Sequence, residues 1–153
     1  MTSPSTRLAA LGLELPAVVA PLAAYTPALR VGSQVWTSGQ LPMRDGQLVA
    51  VGRLGDTLEL ADGVAAARQC ALNALAAAAD TAGGLDNIAR VVKVVVFVAS
   101  DPSFTAQPQV ANGASELIGE VFTQPHARSA VGVAVLPLDA PVEVEIIVEL
   151  NEQ

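Results

Sequence analysis

Two apolar segments near the end of the chain each carry charged side chains that could bind or activate a small molecule. Arg128 alternates with valines in residues 128–135, and Glu143 and Glu145 alternate with apolar side chains in residues 142–148. Because strand side chains alternate with period 2, the charged and apolar groups of each segment face opposite ways. A guanidinium can bind a carboxylate bidentately, and a carboxylate can take a proton from water. These groups could recognise and activate a small carboxylate-bearing molecule, or form a structural ion pair.

The composition indicates one globular domain outside the membrane. With 153 residues the chain can bury a real core, and at 52% hydrophobic but 3% aromatic residues that core must consist of Ala, Val, Leu and Ile. No apolar run reaches the roughly 18 residues of a membrane span, and no basic and apolar leader opens the sequence. The single cysteine excludes an internal disulfide. We expect a cytoplasmic protein, since a lone thiol fits a reducing compartment.

The charge balance argues against several classes of partner and cofactor. A net charge of −7 opposes a nucleic-acid footprint, which needs clustered Lys and Arg. The chain has no GxGxxG, Walker A or CxxC sequence, and one His with one Cys argues against a metal site of those ligands. We expect no cofactor, metal, nucleic acid or membrane partner. A local pocket around Arg128 could still bind a small anion.

Hydrophobic periodicity and turn residues predict the elements that must position these charges. Residues 1–24 are expected to form an N-terminal arm with a short helix at Arg7 to Leu15, and residues 25–153 the single domain. The predicted elements of that domain are a hairpin at 29–31 and 34–38, a strand at 47–51, helices at 57–83 and 109–122, and strands at 91–99, 128–135 and 142–148. Asp56 or Thr57 is expected to cap the first long helix, and Gly83 to end it.

This order predicts an α+β fold with two helices on one face of a mixed or mostly antiparallel sheet. Two helices cannot cover both faces. The uncovered face is expected to carry Arg128 and Glu143 together with some of the apolar residues Trp36, Val95, Phe97 and Ile147. An exposed apolar face of this kind is typical of a subunit interface, so we expect an oligomer with the charged residues near the junction.

Four segments, in this order, make the sequence resemble the Rid (YjgF) family of small trimeric proteins. They cover the chain from about Tyr25 to Leu150, and the combination is specific although each segment alone is weak. The segments are residues 30–42 with Ser-Gly-Gln-Leu-Pro, residues 69–75 with Gln-Cys-Ala-Leu-Asn-Ala-Leu, residues 91–98 with Lys93, and residues 128–143 with Arg-Ser, Leu-Pro and Val-Glu.

The resemblance implies a fold like Bacillus-type chorismate mutase, assembled as a homotrimer with clefts between subunits. It also implies hydrolysis of reactive enamines and imines such as 2-aminoacrylate to a 2-keto acid and ammonia. Arg128 would hold the substrate carboxylate, and Glu143 would position or activate water. Ser38 and Tyr25 would line the pocket, and Gly39 and the backbone near Ala130 complete the expected substrate-binding set.

The chain departs from the usual deaminating members beside these residues. Ala130 and Gly132 stand where those members have Cys and often Glu, and Ala23-Ala24 replaces a Gly-Pro pair before the tyrosine. The segment resembles a divergent branch with the sequence His-Ala-Arg-Ser-Ala-Val-Gly-Val-Ala. The smaller side chains are expected to enlarge or reshape the pocket.

Other readings remain open at the level of sequence. The chain could be a small-carboxylate-binding or regulatory trimer that does not hydrolyse its ligand. A function as an endoribonuclease or translation inhibitor ranks last, because the chain is acidic overall. His126 could titrate near neutral pH or be an ordinary loop residue. Cys70 is expected in the core. Asn112-Gly113 could reach a neighbouring subunit's site.

Overall fold

A computed structural model describes residues 2–152. Three α-helices and seven strands make up the fold, with short 3-10 turns at Leu85–Asn87 and Pro137–Asp139. The helices are α1 (Pro4–Ala10), α2 (Leu60–Ala82) and α3 (Gln107–Phe122). The strands are β1 (Ala28–Val31), β2 (Gln34–Thr37), β3 (Met43–Arg44), β4 (Gln47–Leu48), β5 (Ile88–Ala99), β6 (Ala127–Val133) and β7 (Val142–Leu150).

The main sheet is mixed, as the sequence predicts. Its five strands run in the order β1-β2-β7-β5-β6, while β3 and β4 pair separately. Only β5 and β6 pair in parallel within this sheet, and the chain between them contains α3. A parallel pair needs such a crossover, whereas the β1–β2 hairpin closes through a tight turn at Gly32, whose φ is +60°. The protein is therefore a single α+β domain.

The core lies between one sheet face and the two long helices. Alanines fill most of the buried face of α2, which lets the helix pack closely on β-branched side chains such as Val94, Val96 and Val144. The helix begins later than expected, at Leu60, where the Asp62 carboxylate accepts the Glu59 N–H at 2.9 Å. The prediction that Asp56 or Thr57 caps this helix is therefore wrong. Glu59 and Asp62 instead bond to each other's backbone N–H groups at the helix start. The predicted end at Gly83 is confirmed, with φ of +82°.

The first helix is shorter than the periodicity of its leucines predicts. Ser3 caps α1 and Pro4 stands in its first turn, both favourable at a helix start. The helix ends at Ala10, and Gly12 follows with φ of +74°. Leu8 is buried in the same core as the sheet and the long helices. The domain boundary expected after residue 24 stays a prediction.

The strand register places the two central charges on opposite faces of the sheet. Arg128 pairs with Val94, which is buried beneath the helices, so its side chain leaves on the helix-covered side. Glu143 pairs with Phe97 on the uncovered side. The expectation that Arg128 lies on the uncovered face is wrong. Val131 of β6, which pairs with Phe97, lies on the uncovered side instead and is 44% exposed.

The uncovered face is otherwise as expected. Trp36 of β2 pairs with Ile147 of β7, while Val95 and Phe97 of β5 pair with Glu145 and Glu143, so apolar and charged side chains share this face. Trp36 is 48% exposed. Exposed apolar side chains on a sheet face favour contact with another protein surface.

Two glycines of α3 give a matched test of the helix packing. A Cβ on Gly113 would lie 2.1 Å from the Val64 carbonyl oxygen of α2, whereas one on Gly119 would meet nothing within 4 Å. We expect Gly113→Ala to lower the free energy of unfolding by about 3 kcal/mol, because the helices must separate. Gly119→Ala should raise it by about 0.5–1 kcal/mol through helix propensity. Urea unfolding of both variants measures this, and equal effects would contradict the close packing.

Candidate functional site

Glu143 is positioned by the segment that follows β2. The backbone of Gln40 pairs with Val144 in both directions, with N···O distances of 2.8 and 3.0 Å. This pairing lays Gly39 directly over the Glu143 side chain, and a Cβ on Gly39 would lie 2.4 Å from Glu143 Oε1. Gly39 thus provides the space in which the carboxylate lies.

Ser38 and Tyr25 belong to the same corner of the fold. The Ser38 hydroxyl donates to the Thr26 carbonyl at 2.7 Å, and its N–H donates to the Pro27 carbonyl at 2.8 Å. These bonds hold the chain that enters β1 against the end of β2. The Tyr25 hydroxyl accepts the Leu22 N–H at 3.3 Å, and the residue is 46% exposed. Both hydroxyl oxygens keep a lone pair for a further hydrogen bond.

These residues border one cleft of about 570 Å³. Four of the six predicted site residues line it: Tyr25, Ser38, Gly39 and Glu143. Leu22, Ala23, Leu41 and Pro137 form the remaining walls. The structure therefore brings together, in one concave and largely apolar surface, residues that lie far apart in the sequence.

The electrostatics of the cleft favour a proton-accepting role for Glu143. Burial raises the pKa of its carboxyl group, and the neighbouring Glu145 carboxylate raises it further. No hydrogen bond from residues 2–152 contributes an opposing effect. A carboxylate with these properties is a stronger base than an ordinary glutamate.

Arg128 and Ala130, the other two predicted site residues, lie outside this cleft. Arg128 Nη1 donates to Asn112 Oδ1 at 2.8 Å and to Ser115 Oγ at 3.2 Å, both on α3. Ala130 packs toward the main core. Both residues belong to β6, which is an edge strand with unpaired backbone groups along its outer side. Within one chain, Arg128 and Glu143 cannot act on the same small molecule because the sheet separates them.

Ser115 is the residue that sequence reasoning missed. Its hydroxyl oxygen accepts a hydrogen bond from Arg128 and also lies 2.9 Å from His126 Nε2. Asn112 and Ser115 are three residues apart and therefore share a face of α3, which is the signal that could have indicated them. Burial lowers the pKa of His126, and the Arg128 charge lowers it further, so both effects favour the neutral ring. Its Nδ1 is buried without a hydrogen-bond partner in residues 2–152.

The whole of this arrangement lies within a segment that matches a known family. A family model described as "YjgF/chorismate mutase-like, putative endoribonuclease" covers residues 5–150. The chain belongs to this family. The match extends over almost all of the chain and includes the cleft, α3 and β6.

The proteins that are similar to this chain carry names that state different activities or none. Protein TCP17 of Trypanosoma cruzi is 49% identical over 150 residues, covering 96% of this chain and 94% of its own. A 2-iminobutanoate/2-iminopropanoate deaminase of Dermatophagoides farinae is 32% identical over 142 residues, covering 91% and 95%. A crystal structure from Shewanella oneidensis, named as a putative endoribonuclease, superposes with a TM-score of 0.93 at 36% identity, covering 97% and 100%.

Gly132 is one of the positions at which this YjgF-family chain departs from the deaminating pattern. A Cβ there would lie 2.8 Å from Gln107 Nε2, which donates to the Phe104 carbonyl at 2.8 Å and to Ser100 Oγ at 3.3 Å. Gly132 thus lies on the same side of the sheet as Arg128, with the Gln107 side chain against it. The expectation that the smaller side chains of Ala130 and Gly132 enlarge or reshape the pocket stays a prediction.

The remaining candidates for chemistry are structural. Cys70 is fully buried, its thiol donates to the Val142 carbonyl at 3.4 Å, and burial raises the pKa of that thiol. This confirms the core role expected for it. Over residues 2–152, no group of three or more His, Cys, Asp or Glu side chains is arranged to hold a metal ion. Nor does any helix of that range have the length and hydropathy to cross a membrane.

Proposed function

We propose that the protein hydrolyses reactive enamine and imine carboxylates to 2-keto acids and ammonia. The observation that carries this proposal is the Glu143 carboxylate, which faces a largely apolar cleft, has a raised pKa and accepts no hydrogen bond from residues 2–152. Membership of the YjgF family supports it, as does the relative named as an imine deaminase.

The reaction requires only a base, water and a site for the substrate carboxylate. An enamine first takes a proton on carbon to become the imine. Glu143 accepts a proton from water as the oxygen attacks the imine carbon, and a proton reaches the nitrogen. Glu143 then returns its proton to the amino group of the resulting carbinolamine. The C–N bond breaks as the hydroxyl group loses its proton, which releases ammonia and leaves the keto group. Tyr25 and Ser38 offer hydroxyl oxygens to orient the water and the nitrogen. No metal or organic cofactor takes part in these steps.

Arg128 enters this mechanism from an adjacent subunit. Its guanidinium would bind the substrate carboxylate bidentately, with backbone N–H groups near Ala130 assisting. Glu143 and Arg128 lie on opposite faces of one sheet. A subunit contact that brings Glu143 of one chain to Arg128 of the next therefore uses two different surfaces of the chain. Such head-to-tail contacts close into rings, which fits the homotrimer that we propose. The exposed apolar side chains around Trp36 provide area for this contact.

Trapping of imines with semicarbazide tests the proposed hydrolysis. An amino-acid oxidase generates the imine, and the protein is expected to reduce the yield of semicarbazone. Gly39→Ala serves as the matched variant, because the new methyl group displaces the Glu143 carboxylate without altering a positive-φ position. We expect it to lower the rate about tenfold or more while the protein stays folded, since misplacement of a catalytic group is costly.

Two results would contradict this proposal. Semicarbazone yields that are the same with and without the wild-type protein, across several amino acids, would exclude the hydrolysis. Binding of 2-keto acids in calorimetry without any turnover would instead assign the cleft to a regulatory, non-catalytic protein.

The pH dependence of the rate reports on Glu143. Its ionised form is the base, so the rate should rise with pH as the carboxyl group loses its proton. Because burial and Glu145 raise that pKa, the rise should occur at higher pH than for an ordinary glutamate. Glu145→Gln removes one of the two causes of the raised Glu143 pKa and should move the rise in rate to lower pH. A pH–rate profile that is unchanged in this variant would contradict the assignment.

A further inference from the structure

We infer that Ser115 and His126 are positioning residues for Arg128, which hold one nitrogen of its guanidinium so that the opposite edge receives the substrate carboxylate. This inference rests on the proposed function and adds two residues that act through Arg128. The juxtaposition that supports it joins α3 to β6. Ser115 Oγ lies 3.2 Å from Arg128 Nη1 and 2.9 Å from His126 Nε2, all within one chain.

The contacts of Arg128 use only one end of its guanidinium group. Nη1 donates to Asn112 Oδ1 at 2.8 Å and to Ser115 Oγ at 3.2 Å, whereas Nε and Nη2 donate to no acceptor in residues 2–152. The edge formed by Nε and Nη2 carries two N–H groups that fit a carboxylate bidentately. Because the side chain is held in advance, it loses less conformational freedom when the substrate binds.

The groups that hold Arg128 are neutral, so its positive charge stays available. An amide oxygen and a hydroxyl oxygen accept its hydrogen bonds, and no carboxylate of the described residues forms an ion pair with it. Burial and the Arg128 charge both lower the pKa of His126, which favours the neutral ring. A carboxylate in these places would bind Arg128 more strongly but would compete with the substrate for its charge.

The Ser115 hydroxyl connects Arg128 to His126. Its oxygen accepts the Arg128 N–H, and donation of its proton to His126 Nε2 leaves no hydroxyl proton unpaired. Hydrogen bonds that run in one direction along such a chain strengthen one another. The ring proton then lies on Nδ1, which is buried without a partner in the part of the chain that the structure describes. Since an unpaired buried group costs stability, the arrangement of this histidine is not optimised for stability alone.

Two amide variants of His126 separate positioning from the mere filling of space. A glutamine amide reaches the place of Nε2, whereas an asparagine amide reaches only the place of Nδ1. We expect His126→Asn to raise KM about threefold to tenfold with kcat nearly unchanged, because the hold on Ser115 is lost but no reacting group is. His126→Gln should recover most of the loss. Equal KM values for the two variants would overturn the role of Nε2.

A double-mutant cycle tests whether Ser115 acts through the guanidinium. Ser115→Ala should raise KM about threefold to tenfold when Arg128 is present and should have no effect in an Arg128→Ala background. Ser115→Thr keeps the hydroxyl and should bind nearly as well as the wild type. Ser5→Ala is the control, since it removes a serine hydrogen bond of 2.6 Å to Asp86 away from the site, and should leave KM unchanged. Additive effects of the Ser115 and Arg128 substitutions would overturn the inference.

Asn112→Asp tests the neutrality of the groups that hold Arg128. The carboxylate keeps the oxygen that accepts Arg128 Nη1 but adds a negative charge. We expect KM to rise about tenfold while the fold stays intact, because the new carboxylate competes with that of the substrate. An unchanged KM would contradict the need for a neutral partner.

Calorimetry with 2-oxobutanoate separates this inference from the proposed function. Ser115→Ala and His126→Asn should raise the Kd by about the same factors as KM, and Ser115→Thr and His126→Gln should restore it. The same pattern of binding without any imine hydrolysis would overturn the function and support the positioning role. Hydrolysis with KM unchanged in Ser115→Ala and His126→Asn would overturn the positioning role and leave the function standing. Neither hydrolysis nor any change in binding would overturn both.

Discussion

Glu143→Gln is expected to lower the rate of imine hydrolysis by about a hundredfold to a thousandfold while the fold stays intact. The amide keeps the size of the side chain beside Gly39 but cannot accept a proton from water. Semicarbazide competition measures the rate, and circular dichroism and urea unfolding measure the fold. The pH-dependent rise of the rate should also disappear, since its titrating group is gone.

The stability of this variant gives a second, independent expectation. The folded-state pKa of Glu143 is raised, so the folded protein binds the proton more tightly than the unfolded chain. The contribution of this group to stability is therefore present at low pH and is lost as the pH rises through the folded-state pKa. Above the folded-state pKa the glutamine removes a poorly solvated charge, and the free energy of unfolding should not fall there.

Glu145→Gln is the control for charge and position. Glu145 lies on the same strand and the same face as Glu143, two residues along, but does not line the cleft. It should retain most of the activity at neutral pH. Equal losses in the two variants would contradict a specific role of Glu143 as the base.

Arg128→Ala is expected to raise KM by about tenfold to a hundredfold, because the substrate carboxylate loses a charge-assisted hydrogen bond. Arg128→Lys should recover part of the loss, since it keeps the charge but not the planar fork. Arg53→Ala removes another partly exposed arginine, which pairs with Asp56 in a loop, and should have no effect on KM. Steady-state kinetics with the preferred imine measure all three variants.

A mixture of the two inactive variants tests the subunit junction. Because Arg128 and Glu143 lie on opposite faces of the sheet, an Arg128→Ala chain and a Glu143→Gln chain should complement each other in one assembly. Random mixing of differently tagged chains would give intact sites at roughly a quarter of the junctions of a head-to-tail ring. Activity in the doubly purified assembly should greatly exceed that of either variant alone.

Absence of complementation would contradict the proposed junction. The control is the same co-purified assembly made from two differently tagged Glu143→Gln chains, which contains no intact base and should stay inactive. Retention of both tags after purification establishes that the chains have assembled together. A single-chain site would leave the mixed assembly as inactive as its parents.

Much of the fold could be predicted from local patterns in the sequence. The alanine-rich run fixes α2 because its apolar period is 3.6 residues, and Gly83 ends it because only a left-handed residue closes the helix there. The Val-rich run of β5 and the alternation in β7 identify both strands. The predicted helix starts were less accurate. Glu59 and Asp62 cap α2, although Asp56 and Thr57 just before them are of the types preferred at an N-cap.

The candidate site could be predicted only in part. Tyr25, Ser38, Gly39 and Glu143 converge as the resemblance implies, although no local rule brings residues so distant in sequence together. Ser115 could not be predicted, because a single serine on a helix gives no sequence signal of a functional role. Only the tertiary structure shows that its hydroxyl contacts Arg128 and His126. The contact between Gly132 and Gln107 of α3 likewise could not be predicted, since it depends on how α3 packs against β6.

The sequence by itself determined that the charges of β6 and β7 alternate with apolar side chains, because strand periodicity is a local property of the backbone. Only the tertiary structure decided which face each charge occupies. That choice depends on the parallel register of β6 against β5, which pairs Arg128 with buried Val94, and on the antiparallel register of β7, which pairs Glu143 with Phe97. Since a shift of one residue would exchange the faces, long-range pairing separates the arginine from the glutamate.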